Sequence, residues 1–314
     1  MPYRITSLGA IAMPLQLRRC AALLILVGIG APAHAAEVSC DATYGQPTPE
    51  EMAKRERPSG ARPTPGTCEV GLIRGTIIKG DYEKVLIFYR RNHPFLPLLQ
   101  LISSGGDVED AIKIGRLLRK YLVNAGAPLR LPDGRPYLPS LDPSQGAGNT
   151  PRSLCERSEC ICASACALIW FGGVDRFGRV GLHRPRTDDP AFKALAPVEA
   201  SAVYRRMLAD ITRYLEEMEV PKQLIESMVA TGSADIRWAD SEKGLQRSPS
   251  IAEWKDASCG SFTEQESNTL SDLESRNRSQ QDELLYKLLD EKLSKKKACE
   301  RHLIFSHRER LAPP

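Results

Sequence analysis

An apolar run that turns on two glycines straight into an amphipathic helix limits this chain more than any other feature of it. Leu98-Leu99-Gln100-Leu101-Ile102 is short and apolar, as in a parallel strand buried on both faces. Ser103-Ser104-Gly105-Gly106 follows it. After Asp107, the residues Val108, Ala111, Ile112, Gly115, Leu118 and Leu122 recur at helical spacing. A second turn among small residues is Cys162-Ala163-Ser164-Ala165-Cys166, where a short buried helix is predicted over 163–171 and ended by Gly172-Gly173. Arg179 to His183 reads as a strand leading out to Arg184-Pro185. Strands alternating with helices predict an α/β fold, and both turns fall at the carboxyl ends of strands, where such sheets place their sites.

The rest of the chain supplies further elements of the same kind. Val70 to Ile78 reads as a strand with a glycine in it, and Asp81 opens a helix that His93-Pro94 breaks. Pro128-Leu129-Arg130-Leu131 predicts another strand. Val198 to Met218 predicts a long helix, Pro221 starts another that runs to about Ala230, and Asp235 to Trp238 is a short extended piece. Residues 36–67 and 132–160 are rich in Pro, Gly and polar residues. The first reads as an irregular linker or arm. The second reads as an insertion that returns just before Ser164 and rims the site. From residue 251 to 314 the chain reads as a charged helical arm, with leucines at helical spacing between Leu270 and Leu293. The α/β domain therefore spans about 68–250.

Residues 1–35 hold Arg4, Arg18 and Arg19 and no acid, then an apolar run from Ala21 to Gly30 and the pattern Ala33-His34-Ala35. This predicts a secretory signal peptide cleaved after Ala35; the alternative is an N-terminal membrane anchor. The formal charge of +4 then drops to +1, so nothing in the balance calls for nucleic acid. Eight of the nine cysteines follow the leader, an even set that suits disulfides in an oxidising compartment. The expected pairs are Cys40–Cys68, Cys155–Cys160 and Cys259–Cys299. Cys162 and Cys166 either pair or stay buried as small apolar residues. Their irregular spacing and the few histidines do not suit zinc, and neither a metal nor a cofactor is expected.

Covalent hydrolysis of an amide or ester needs an activated nucleophile, a base in reach, and donors where the oxyanion forms. Ser164 at a helix start is a candidate nucleophile, and His183 a candidate base. The amides of Ala165, at an open helix end, and of Gly106, after the strand, are candidate oxyanion donors. Each piece alone has an ordinary explanation: a Gly-Gly turn, a tightly packed serine helix, a satisfied strand-end histidine. Their order and topological positions make the set specific.

The set resembles the proteolytic subunit of the Clp protease family. Leu101-Ile102-Ser103-Ser104-Gly105-Gly106-Asp107-Val108 looks like its oxyanion strand and glycines. Cys162-Ala163-Ser164-Ala165-Cys166-Ala167 looks like its nucleophile turn, and Val180-Gly181-Leu182-His183-Arg184-Pro185 like its histidine strand. The resemblance covers about residues 69–245. It implies a crotonase-like β/α spiral with a C-terminal helical extension, with Ser164 as nucleophile, His183 as base, and Gly106 and Ala165 as oxyanion donors. It also implies an orienting aspartate, best matched by Asp235, with Asp240 as rival and Asp189 as outsider. The chain departs from the family at Ser104, where a proline is usual. The Ser-to-His interval is also shorter, cysteines flank the serine, and the 132–160 insertion is extra.

These features give the expectation of an exported, ATP-independent serine peptidase. It would act on polypeptide substrates without an ATPase partner, with the helix near 198–218 a candidate interface between copies. The alternative is a catalytically inactive binding or assembly module of the same fold. A crotonase-type acyl-CoA enzyme shares the two-amide oxyanion hole, but the leader argues against a cytoplasmic cofactor. A Ser/Lys dyad of the signal-peptide-peptidase kind is disfavoured by His183.

Overall fold

The apolar strand predicted at Leu98–Ile102 lies in the middle of a mixed sheet, and its neighbours follow from the chain's alternation. The structure, a computed structural model, describes residues 35–43, 66–130, 134–139, 151–154, 160–187, 190–240 and 245–313. In order, the strands of this sheet are β1 (Glu37–Thr43), β2 (Cys68–Arg74), β3 (Leu98–Ile102), β4 (Asn124–Gly126) and β8 (Arg176–Phe177). From β2 to β8 every pairing is parallel, and β1 adds antiparallel at the edge. Helix α1 (Asp81–Asn92) connects β2 to β3, and α2 (Val108–Lys120) connects β3 to β4. All five residues of β3 are buried, as a strand covered on both faces requires.

Helix α3 (Ala165–Gly172) precedes β8, and after β8 come β9 (Arg179–Leu182), α4 (Pro197–Glu217), α5 (Lys222–Ala230) and β10 (Arg237–Asp240). Strand β10 pairs antiparallel with β9. Helix α3 is buried along its whole length, with Trp170 and Phe171 in the core. The Tyr214 hydroxyl donates to the Leu168 carbonyl at 2.8 Å and ties α4 to α3. Buried Arg176 donates to the carbonyls of Gly173, Leu245 and Met218, and loss of solvent pushes its pKa down to about 10.

Three expectations need correction. Residues 36–67 are not irregular throughout: 37–43 form β1, bridged to β2 by the Cys40–Cys68 disulfide. Short edge strands with little apolar alternation escape periodicity. The 132–160 insertion is not structureless either. Strands β6 (Pro136–Pro139) and β7 (Pro151–Leu154) join β5 (Leu129–Arg130) in a separate antiparallel sheet. The strand predicted over Val70–Ile78 stops at Arg74, because Gly75 takes φ 110, a left-handed turn that ends the ladder.

The C-terminal helices are α6 (Pro249–Cys259), α7 (Glu264–Ser275) and α8 (Gln280–Arg310). Helices α7 and α8 both start with a capping box, at Thr263 and Ser279. The expected Cys259–Cys299 disulfide links α6 to α8. The end of α8 is anchored on the core. Buried Arg308 donates to the carbonyls of Tyr121 and Leu122 at 2.7 and 2.6 Å, and Phe305 stacks near Phe95. Together the Cys40–Cys68, Cys162–Cys166 and Cys259–Cys299 disulfides fit an oxidising compartment. Cys160 is also disulfide-bonded; Cys155, its expected partner, lies outside the described residues, as do the leader's residues 1–34. Among the described residues, no helix is long and apolar enough to cross a membrane.

Candidate active site

Single bridges beyond the strand ends join the segments that carry the predicted site residues. Ile77 pairs in parallel with Gly106, Ser103 with Cys162, and Ala163 with Gly181. The Ser103 amide donates to the Ile161 carbonyl and the Ala163 amide to the Ser103 carbonyl, at 2.7 and 3.0 Å. On the other side, the Gly181 amide donates to the Cys162 carbonyl at 2.8 Å, and the Ser164 amide to the Gly181 carbonyl at 2.9 Å. The segment 161–163 thus runs as a short strand between the end of β3 and β9, and Ser164 stands where it turns into α3.

Ser164 is the N-cap of α3, with φ 57 and ψ −126. A serine gains nothing local from this conformation, since its side chain makes no capping bond, and such a backbone costs about 1–3 kcal/mol. Surrounding bonds must hold it there. The Cys162–Cys166 disulfide, left open by the sequence, closes around it. Between Cys162 and Val174 every residue is buried except Ser164, which is half-buried. A strained serine at a sharp strand-to-helix turn is how a nucleophile elbow presents its hydroxyl.

Two amides lie at the glycine and serine turns, those of Gly106 and Ala165. The turn at Ser103 to Gly106 is held from within and without. The Gly105 amide donates to the Ser103 hydroxyl at 3.1 Å, and the Ile77 amide to the Gly105 carbonyl at 2.9 Å. The Asp107 amide donates to the Ile77 carbonyl at 2.8 Å, and the Asp107 side chain caps α2 at the Asp110 amide. Among the described residues the amides of Gly106 and Ala165 donate to nothing. The loop carrying Ile77 is itself braced by buried carboxylates: Asp110 accepts from the amides of Gly80 and Tyr82, and Asp81 from that of Ile78.

His183 follows β9 by one residue and is half-buried. It lies two positions after Gly181, on the same side of the strand by the alternation of extended backbone. A methyl on Gly181 would come 2.7 Å from the Ile236 side chain and 3.0 Å from that of Ala163. The His183 Nδ1 lies 2.7 Å from the carbonyl oxygen of Arg184. The expected acid is placed otherwise. Asp235 is exposed on the turn between α5 and β10, its amide donating to the Gly232 carbonyl at 3.0 Å. Among the described residues no hydrogen bond or ion pair joins it to His183. Asp240 pairs with Arg179, at the end of the β9–β10 ladder away from His183. Asp189 lies outside the described residues.

The bridges therefore link the segments of Gly106, Ser164 and β9, with Ser164 next to the bridged Ala163 and His183 two residues after the bridged Gly181, and no hydrogen bond or ion pair among the described residues joins Asp235 or Asp240 to the imidazole. The brace of Asp81 and Asp110 behind the glycine turn was not foreseen. Its only trace in the sequence is a pair of acids at two helix starts. No known family model matches the chain, and neither does any curated protein.

Proposed function

We propose that this chain is a serine peptidase of the Clp-like type, with Ser164 as nucleophile and His183 as base. The amides of Gly106 and Ala165 serve as its oxyanion donors. The observation that carries the reading is the pair Ser164 and Ala165, a strained half-buried serine followed by a buried amide without an acceptor. Buried amides without partners are rare in folded proteins. An acceptor that arrives with the substrate accounts for this one, and each such donor is worth about 2.7–4 kcal/mol in the transition state.

In this reading His183 takes the Ser164 proton as Oγ attacks the scissile carbonyl, and the new oxyanion lies between the two amides. His183 returns the proton to the leaving amine, and water then releases the acyl group from Ser164 by the reverse path. The bridges from Ile77 through Ser103 and Ala163 to Gly181 support a crotonase-like spiral. The predicted leader and the disulfides support an exported enzyme that takes polypeptides already unfolded or exposed, without an ATP-driven partner. Association of copies through α4 belongs to the same proposal; Val198 and Val203 on that helix are exposed.

One observation favours a second reading, a binding module of the same fold: no carboxylate contacts His183 among the described residues. Fluorophosphonate labelling of the oxidised, leaderless protein separates the two. The peptidase reading expects Ser164 to be modified, and Ser164→Ala and His183→Ala to abolish labelling with thermal stability nearly unchanged. A folded wild type that does not label, at any protein concentration, sinks the peptidase reading.

A further inference from the structure

We propose that the main-chain carbonyl of Arg184 takes the place of the carboxylate in orienting His183, so that the site works as a serine–histidine pair with a backbone acceptor. The proposal rests on the peptidase reading for its catalytic meaning, though the tautomer it predicts is measurable without it. A carbonyl oxygen only accepts hydrogen bonds. The 2.7 Å contact between Nδ1 of His183 and the Arg184 oxygen therefore places the ring proton on Nδ1. The other nitrogen, Nε2, keeps its lone pair and is the one able to take the serine proton. An orienting aspartate does the same by accepting from Nδ1, and the wrong tautomer is what its loss produces.

An orienting group has to be fixed itself, and the Arg184 peptide is held from both ends. Its amide donates to the Thr231 carbonyl at 3.0 Å, at the end of α5. The residue after it is Pro185, which is buried and restricts Arg184 to extended backbone. The Tyr204 hydroxyl, on α4, donates to the Pro185 carbonyl at 3.1 Å. Neither Asp235 nor Asp240 makes a contact with the ring among the described residues. The Asp235 carboxylate curls over its own turn, where a methyl on Gly232 would lie 2.8 Å from its Oδ2. Asp240 stands opposite Arg179, while Leu182, beside His183, pairs with Arg237. At the usual rise per strand residue that puts Asp240 about 10 Å further along the ladder.

The test is nitrogen NMR on protein labelled with ¹⁵N-histidine, with the His183 signals assigned by their loss in His183→Gln. The expected result is Nδ1 protonated and Nε2 bare in the neutral ring. Asp235→Asn should leave that tautomer unchanged and fluorophosphonate labelling at the wild-type rate, against a loss of about a hundredfold or more in His183→Ala. Pro185→Gly combined with Tyr204→Phe frees the Arg184 peptide. It should move the ring toward a mixture of tautomers while the far-ultraviolet circular dichroism stays as in wild type. A ring protonated on Nε2, or an Asp235→Asn variant that labels as poorly as His183→Ala, would overturn the proposal. If the wild type does not label, the peptidase reading fails, and the tautomer still decides whether Arg184 orients the ring.

Discussion

Gly105 lies directly against Ser164. A methyl group on Gly105 would come 2.5 Å from the serine Cβ and 3.0 Å from its Oγ, while Gly105 itself sits at φ 114. The glycine turn and the serine turn are therefore parts of one surface, and neither tolerates a change that leaves the other in place.

Gly105→Ala tests that dependence. The added methyl must displace Ser164, and alanine at this φ adds strain of about 1–3 kcal/mol. The expected outcome is a protein that folds with a lowered melting temperature and no longer reacts with a fluorophosphonate. Labelling at the wild-type rate would show that the two turns are not coupled in this way.

The Cys162–Cys166 bridge joins residues four apart, on either side of Ser164, and both sulfurs are buried. Closing so short a loop is worth about 2 kcal/mol by chain entropy. Replacing both cysteines by alanine should cost about that much in chemical denaturation. It should also slow labelling by about tenfold, as the strained serine relaxes toward ordinary helix geometry. A double variant that is less stable yet labels normally would assign the bridge to the core alone.

His93 connects the acid response to the C-terminal anchor. Its ring packs against those of Tyr89 and Tyr121, at 5.6 and 5.5 Å between centroids, and its Nδ1 is buried without a partner. Burial holds its pKa below the ordinary histidine value. The backbone of Leu311 pulls it partly back, and the nearby Arg308 charge depresses it further. A depressed pKa means that the unfolded chain takes up the proton first as pH falls. The stability contributed by neutral His93 is thus present above about pH 6.5 and is lost as pH drops through the folded-state value. The urea midpoint should fall between pH 7 and pH 5, and His93→Gln should flatten that slope; equal slopes in both proteins would remove His93 from the explanation.

The elements that carry the site were the most legible ones. The strand at Leu98–Ile102 and the long helix near 198–218 were visible because burial on both faces leaves a continuous apolar run, and burial on one face leaves a stripe. The helix after Gly105-Gly106 had its N-cap written in as Asp107. What escaped was fixed by pairing or by sulfur. Strand β1 is held by one neighbour and a disulfide, so Val38, Cys40 and Ala42 give only a faint alternation. Strands β6 and β7 carry Pro136, Pro139 and Pro151, which argue against a strand in any local reading. The main-chain contact of His183 was unreadable for a different reason. A backbone carbonyl has no letter in the sequence, whereas an aspartate does, so residue-type reasoning turns to Asp235 even where a main-chain oxygen lies 2.7 Å from the ring nitrogen.

Helix α2 begins at the glycine turn of the site and ends at Tyr121, whose carbonyl, with that of Leu122, is held by Arg308. Arg308 comes 187 residues after Tyr121 in the chain. The far end of the very helix that opens beside the glycine turn is thus closed off only after more than 180 further residues have been made, and a chain stopped before Arg308 leaves those carbonyls to water. A distant stretch of chain thereby supplies the clasp on a helix made long before it.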